Sequence, residues 1–313
     1  MNNSKLISVI ICTHNPSTTY LNRVLLSLQK QTISLSDWEL IVVDNASVVK
    51  VADAFNLSWH PDGRHVYEQR TGLAYARIKG IEEARGELLI FIDDDNCLKD
   101  NYLQEALNIM QRVPLLGVVG AGNIIPEFEI KPPADVLPFL RSLAIRSDER
   151  ACFSNMIKYN KAIPYGAGLC IRRSIACAYV KNCSENPITT TLGRIGDILL
   201  SGEDIDLALH ACKQGFISGV LPELELTHLI PKRRIEQDYL VQIAAGHAAS
   251  SYILSQIWTF DEYPEDSLIK WGRYWKKRLR SKGLARKILI AEYKAEGKAR
   301  QTWKELNKKF NVA

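Results

Sequence analysis

A chain of 313 residues with 46% hydrophobic side chains can build one large domain or two around a real core, which excludes a small stapled scaffold and a disordered chain. Seven cysteines (Cys12, Cys97, Cys152, Cys170, Cys177, Cys183 and Cys212) are odd in number and form no CxxC pair, a usage that fits free thiols in a reducing compartment and speaks against a disulfide framework or a zinc site. The net charge of +5 is unevenly spread: from Lys270 to Ala313 fifteen Lys and Arg face three Glu, a net of +12, and the preceding 269 residues carry −7.

The opening "MNNSKLISVIICTHN" has too short an apolar stretch for a signal peptide and no small-residue cleavage site, so a cytoplasmic protein is expected. "LISVIIC" (6–12) reads as a buried strand, with a helix around 20–30 after it. "WELIVVD" (38–44) is a second strand and "HVYEQ" (65–69) a short third. "GLAYARIKGIEEA" reads as a helix whose inner face is Leu73, Ala76, Ile81 and Ala84. "ELLIFID" (87–93) is the fourth strand, "NYLQEALNIMQRV" a helix that Asp100 can cap, and "LGVVGAG" (116–122) a fifth strand.

The second half opens on the proline-rich "IIPEFEIKPPADVLPF", then "IPYGAGLCIRRS" returns to a strand. "DIDLALHACKQ" is a helix that Gly215 ends, and "FISGVL" and "LELTHLI" read as two further short strands. From about Arg234 the chain reads as mostly helical. Residues 240–260 contain no Asp, Glu, Lys or Arg, but Gln242, His247, Ser250, Ser251, Ser255 and Gln256 make them too polar for a membrane span; a buried or interfacial helix is expected. Continuously apolar strands alternating with helices imply an α/β fold with a mainly parallel sheet covered on both faces, whose ligands bind beyond the carboxyl ends of the strands. Thr13, Asp44 and Asp93 stand at those ends.

Asp93, Asp94 and Asp95 emerge together from an apolar strand. Two unit charges at ~4 Å repel by about 4 kcal/mol at an effective dielectric near 20, so the cluster calls for positive charge. If the extended geometry persists, Asp93 and Asp95 share a face, which suits Mg2+ or Mn2+ bridging to substrate phosphates; the other reading is a solvated acidic turn that caps a helix. Asp44, in "IVVDNAS", is either a nucleoside contact or a helix cap with Asn45 and Ser47. Glu203 and Asp204, where a loop becomes a helix, are either dipole partners or a general base with its neighbour. His228 stands alone among apolar residues and reads first as a structural histidine.

Together "SVIICTHNP", "ELIVVDNAS", "GLAYARIKGIEEARGELLIFIDDDN", "YGAGLCIRRS" and "LSGEDIDLALHACKQG" resemble, in the same order, the motifs of the family 2 glycosyltransferases, over about Ser8 to Pro231. The resemblance implies a GT-A type fold with a helical, basic C-terminal extension: a nucleotide-sugar half over 1–125, an acceptor and catalytic half over 126–233 and the extension over 234–313. It implies that Thr13 and Asn15 border the nucleotide and that Asp44 contacts its base. Asp93 and Asp95 match the aspartates of the DxD motif, Asp93 toward ribose or sugar and Asp95 on the metal, with Asp94 the variable middle position of the nucleotide site. Asp204 matches the general base with Glu203 beside it, and His228 a position that in some relatives reaches the metal or diphosphate. Gly166, Gly168, Arg194 and Arg234 are then phosphate or acceptor contacts. Many relatives carry Asn after the Arg of "YAR"; Ile78 stands there, so that nucleotide-side contact is lost or falls to Arg77.

The implied reaction is inverting transfer of one sugar from a nucleotide-diphosphate sugar, UDP by family habit, to a hydroxyl of a glycan or lipid-linked acceptor, with Mn2+ or Mg2+ as cofactor. This is the chemistry of cell-surface polysaccharide synthesis. The absence of QxxRW after the Glu203-Asp204 pair argues for single-sugar addition. Residues 268–313 intersperse Trp271, Trp275, Leu279, Leu284, Ile288 and Ile290 with basic side chains, which suits an anionic membrane surface at the cytoplasmic face better than nucleic acid. Rival readings are a sugar-nucleotide-forming nucleotidyltransferase, whose Gly-rich first loop is replaced by Thr13-His14-Asn15-Pro16, an aspartyl-phosphate phosphatase, whose motif is broken at Cys97, and a non-catalytic nucleotide- or glycan-binding module.

Overall fold

The computed structural model describes residues 5–193, 200–260 and 268–310. It divides into two compact units. The first, 1–129 with 144–191 and 203–230, contains β1 (Ile7–Thr13), α1 (Thr18–Gln29), β2 (Trp38–Asp44), α2 (Val51–Ala54), β3 (Gly63–Tyr67), α3 (Leu73–Glu83), β4 (Leu88–Asp93), β5 (Asn96–Leu98), α4 (Tyr102–Arg112) and β6 (Leu116–Phe128). It continues with β7 (Arg146–Ser147), β8 (Cys152–Ser154), β9 (Leu169–Arg172), α5 (Arg173–Glu185), α6 (Glu203–Lys213) and β10 (Ile217–Ile230).

These strands form one sheet in the order β3-β2-β1-β4-β9-β6-β10-β5, with β7 on β6 and β8 on β10. From β3 to β4 every pairing is parallel, and β1 and β2 are buried along their whole length. That is the arrangement that continuously apolar strands require, because helices cover both faces. Beyond β4 the sheet is mixed. β9 runs antiparallel to both β4 and β6, and β10 is parallel to β6 but antiparallel to β5.

Several elements differ from expectation. The fifth strand continues from "LGVVGAG" through "IIPEF", so the expected boundary at 125/126 falls inside β6. "FISGVL" and "LELTHLI" are one strand, β10, which keeps its pairing with β6 across a register irregularity between Leu221 and Glu225. Pro222 and Glu223 interrupt the apolar run, which made two strands of it in the sequence. Asn101, not Asp100, precedes α4, and its side chain makes no capping bond. α6 ends as expected, with Gly215 at φ +87° and the Phe216 amide donating to the Ala211 carbonyl. The inner face of α3 is wider than expected: Ala76, Ile81 and Ala84 are buried as expected and Leu73 only partly, while Arg77 and Ile78 are buried as well.

The second unit, 130–143 with 192–202 and 231–313, is helical. It contains α7 (Gln237–Ile257), α8 (Leu268–Arg280) and α9 (Gly283–Phe310), with 3-10 turns at Leu137–Leu143 and Lys232–Ile235. α7 is the charge-poor segment expected to be buried or interfacial, and it packs against α9. Among the described residues no helix is long and apolar enough to cross a membrane.

Candidate active site

The parallel strands deliver their last residues to one edge of the first unit. β1 ends at Thr13, in register with Asp44 at the end of β2. On its other side Cys12 lies opposite Asp93, the last residue of β4. β10, separated from β4 in the sheet by β9 and β6, contributes His228, paired with Asn96 of β5.

The three aspartates part company here. Extended geometry ends at Asp93, and Asp94 and Asp95 form a turn, so the alternation that would put Asp93 and Asp95 on one face does not hold. Asp93 stays 41% exposed and faces Arg77, with Nη2 3.8 Å from Oδ1. Asp94 accepts a short hydrogen bond from the Thr13 hydroxyl. Asp95 is buried, with Oδ1 3.0 Å from Asn96 Nδ2 and 3.6 Å from His228 Nε2, and the Leu229 amide donates to its carbonyl. Each carboxylate therefore meets a separate partner: Arg77 for Asp93, the Thr13 hydroxyl for Asp94, and Asn96 with His228 for Asp95.

Arg77 ties this edge to α6. Its Nη1 donates to Glu203 Oε1 at 3.0 Å, with both side chains under a tenth exposed. Burial works against the Arg77 charge, but the Glu203 and Asp93 carboxylates more than offset it and hold its pKa above the ordinary arginine value. The guanidinium also lies 5.6 Å from the Phe91 ring centroid. Beneath it, burial pushes the Cys12 thiol up to about 12, so it stays protonated.

Asp204 sits beside Glu203 at the start of α6. Its Oδ2 accepts the Gly166 amide and its Oδ1 the Ile205 amide, both at 2.8 Å. Each oxygen keeps a lone pair for a further donor. Gly166 is a close approach, because a Cβ there would collide with the Arg77 guanidinium. Gly168, at φ +73°, gives its carbonyl to the buried Tyr102 hydroxyl at 2.6 Å. Both glycines of "YGAG" thus hold the loop that presents an amide to Asp204. Tyr165, just before it, carries the Arg146 guanidinium 4.1 Å above its ring.

Asp44 adopts the capping geometry: Oδ1 accepts the Ser47 amide and Oδ2 the Val51 amide, each at 3.0 Å. Burial opposes its ionisation, yet these amides outweigh burial and hold its pKa below the ordinary range. Asn15 is in the left-handed region at φ 50°, with Oδ1 accepting the Val48 amide at 2.8 Å. Arg234 belongs to the second unit, in the turn Lys232–Ile235. Arg194 lies outside the described residues.

Two polar residues have roles that the sequence does not show. Asn45 reads in the sequence only as a cap. Its side chain donates to the Glu68 and Arg70 carbonyls and accepts the Gly72 amide, fixing the loop that leads into α3 and so to Arg77. Asp206, 1% exposed in α6, accepts from the Tyr179 hydroxyl at 2.9 Å. A second acid two residues after an acidic pair was its only signal.

For a metal, Asp95 and His228 supply a carboxylate and an imidazole. Such a donor pair suits a hard or borderline cation whose other positions are filled by water and substrate oxygens. Among the described residues no cluster of three or more His, Cys, Asp or Glu forms an all-protein cage.

Residues 8–143 match the family described as Glycosyl transferase family 2. The protein EpsH of Bacillus subtilis is 32% identical over 103 residues, 32% of this chain and 29% of its own length. The glucosyl-dolichyl phosphate glucuronosyltransferase of Haloferax volcanii is 21% identical over 178 residues, 56% of this chain and 54% of its own. The chain thus spans only about a third to a half of the curated relatives it matches. Among solved structures, the mannosyltransferase PcManGT of Pyrobaculum calidifontis, in complex with GDP-Man and Mn2+, superposes with a TM-score of 0.54 at 19% identity, over 94% of this chain and 73% of that one. That likeness concerns the fold. Residues 8–143 thus match the family 2 glycosyltransferase model, and the fold is of the GT-A type.

Proposed function

We propose that this protein is an inverting glycosyltransferase that moves a single sugar from a nucleotide-diphosphate sugar to an acceptor hydroxyl, with Asp204 as general base. The observation that carries the reading is the meeting, at one sheet edge, of Asp93, Asp94 and Asp95 with the buried Arg77–Glu203 pair and Asp204.

In this reading the nucleoside lies across the ends of β1 and β2, bordered by Thr13, Asn15 and Asp44, with Asp93 and Asp94 toward ribose and sugar. Asp95 and His228 would hold Mn2+ or Mg2+, which would supply positive charge where the leaving diphosphate becomes more negative. Arg77 adds a fixed cation behind Asp93, pre-oriented by Glu203 and needing no reorganisation as charge develops. Asp204 Oδ1 or Oδ2 takes the acceptor proton as the acceptor oxygen attacks the anomeric carbon from the face opposite the diphosphate. The bond to the acceptor forms as the bond to the diphosphate breaks, and the proton ends on Asp204. Glu203 is committed to Arg77, which leaves Asp204 as the free base of the pair.

UDP is the expected nucleotide, and the acceptor is a glycan or lipid-linked sugar of the kind used in cell-surface polysaccharide synthesis. The dolichyl phosphate in the name of the Haloferax volcanii relative supports a lipid-borne acceptor, and with it a cytoplasmic enzyme peripheral to the membrane. Gly166 and Gly168 are assigned to the phosphate or acceptor side.

Isothermal titration of UDP, GDP, CDP and dTDP, with and without Mn2+, tests the reading. One diphosphate is expected to bind in a metal-dependent way, and Asp95→Ala to abolish that dependence. If none of the four binds with metal, the nucleotide-sugar reading fails.

A further inference from the structure

The apolar side chains of the basic tail do not form one face. Leu284, Ile288, Ala299 and Trp303 of α9 are buried, whereas Trp271, Trp275 and Leu279 of α8 are 57%, 37% and 78% exposed. These three follow one another at intervals of four, so they form a single stripe along α8. α8 meets α9 elsewhere: Tyr274 stacks on Tyr293 with ring centroids 4.0 Å apart and planes at 21°. The stripe is preformed, since Trp271 and Trp275 pack edge to face at 5.8 Å and the Arg278 guanidinium lies 4.6 Å over the Trp275 ring. On the helix Lys276 and Arg278 border this stripe, Arg273, Lys277 and Arg280 stand on the opposite face, exposed like Lys276, and α8 has no acidic residue.

We infer that the Trp271–Trp275–Leu279 stripe seats this protein on an anionic bilayer surface, with those side chains at the headgroup–acyl boundary and the flanking cations against lipid phosphates. Two features select a bilayer. Tryptophan prefers the boundary where one edge of its ring is apolar and the other wet, and a helix of this length with one apolar stripe and a cationic remainder is built to lie in that plane. The charge complementarity is with an acidic surface many charges wide, because Lys276 and Arg278 border the stripe and the remaining exposed cations stand on a helix that offers no anion of its own. Nucleic-acid phosphates would use the cations but leave Leu279 in water. A second copy of the chain would bring the same cations together. The inference deepens the transferase reading by making the acceptor lipid-borne. Only that last step rests on that reading, because the surface needs neither donor nor acceptor to bind.

The test uses the full chain without nucleotide, in flotation against vesicles of phosphatidylcholine alone and of phosphatidylcholine with phosphatidylglycerol. Binding to the anionic vesicles is expected, at least tenfold weaker on the neutral ones and weakened by salt. Lipids brominated near the headgroup should quench part of the tryptophan emission of the unaltered protein, which needs no variant. Trp271→Ser/Trp275→Ser/Leu279→Ser should lose at least tenfold in vesicle affinity with its helical circular dichroism and nucleoside-diphosphate titration unchanged. No binding by the unaltered chain, binding that the triple variant keeps, or a dimer that the triple variant breaks while vesicles are ignored would each overturn the inference. Failure of the transferase reading alone would instead appear in the titration, with vesicle binding intact.

Discussion

Arg77 Nη1 lies 3.0 Å from Glu203 Oε1, although 126 positions separate the two residues in sequence. The pair is buried on both sides and joins α3, under the parallel half of the sheet, to the start of α6. It sets the distance between the aspartates at the end of β4 and the acid at the start of α6, and through Gly166 it limits how the loop before β9 can pass.

Breaking this pair from one side is expected to be expensive. Arg77→Met leaves the Glu203 carboxylate buried without its cation, a situation that costs about 3–5 kcal/mol. Pairing it with Glu203→Gln should recover part of that loss. A double-mutant cycle by urea denaturation measures the coupling, and a value within about 0.5 kcal/mol of additivity would show that the two side chains do not depend on each other.

Glu39 makes acid stability a second test. It is wholly buried in β2, and burial alone would raise its pKa, but hydrogen bonds from Ser8, Arg64 and the Arg85 amide and side chain bring it from 4.5 down to about 2. A depressed folded-state value means that the unfolded chain takes up the proton first as pH falls. The stabilisation is therefore present in full above about pH 5 and fades between there and pH 2; at its largest it is about 3 kcal/mol, at 1.36 kcal/mol per pKa unit. Glu39→Gln should be less stable than the unaltered protein at pH 7, and the gap should narrow by pH 3. Parallel urea melts at the two pH values measure this, and a gap that widens in acid would contradict the assignment.

The sequence disclosed the parallel half of the fold because its strands are buried on both faces and so read as unbroken apolar runs. It located the carboxyl-terminal edge for the same reason: polar residues begin where those runs stop, at Thr13, Asp44 and Asp93. What it could not disclose depends on chain reversal and distant partners. Asp94 and Asp95 turn where alternation assumes a straight strand, and Arg77 is inside because of carboxylates from two other elements. A hydrophobic pattern puts an arginine outside, so it finds Ala76, Ile81 and Ala84 on the inner face of α3 but not Arg77. In the tail, helical periodicity found the apolar residues but not which would be covered, since that depends on α7 and α9.

Gly168 gives a prediction about backbone and core together. At φ +73° an alanine carries a steric penalty of about 1–2 kcal/mol, and its Cβ would come within 2.5 Å of the Tyr102 hydroxyl that donates to the Gly168 carbonyl. Gly168→Ala is expected to destabilise the protein by at least that amount. Tyr102→Phe/Gly168→Ala, which removes the colliding oxygen, should recover part of the loss but not the backbone penalty. Thermal melts of Gly168→Ala, Tyr102→Phe and the double variant separate the two contributions; complete recovery in the double variant, relative to Tyr102→Phe, would mean the backbone carries no strain.

The division of labour between the two acids at the start of α6 is open to a direct comparison. Asp204→Asn keeps an amide oxygen to accept the Gly166 N–H and gives up the bond from its neighbour Ile205, so the loop and the fold should persist. It removes the base, and general-base catalysis is worth about 10²–10⁴-fold, so kcat should fall by that factor with the diphosphate Kd unchanged. Glu203→Gln should behave differently. It weakens a charge-assisted bond to Arg77, so its cost should appear in stability and in donor affinity together, because Arg77 also faces Asp93. Single-turnover kinetics with the donor identified by titration, read beside urea melts of both variants, distinguishes the two. A selective collapse of kcat in Glu203→Gln, with Asp204→Asn near full activity, would exchange the roles and place the base on the residue that the geometry commits to arginine.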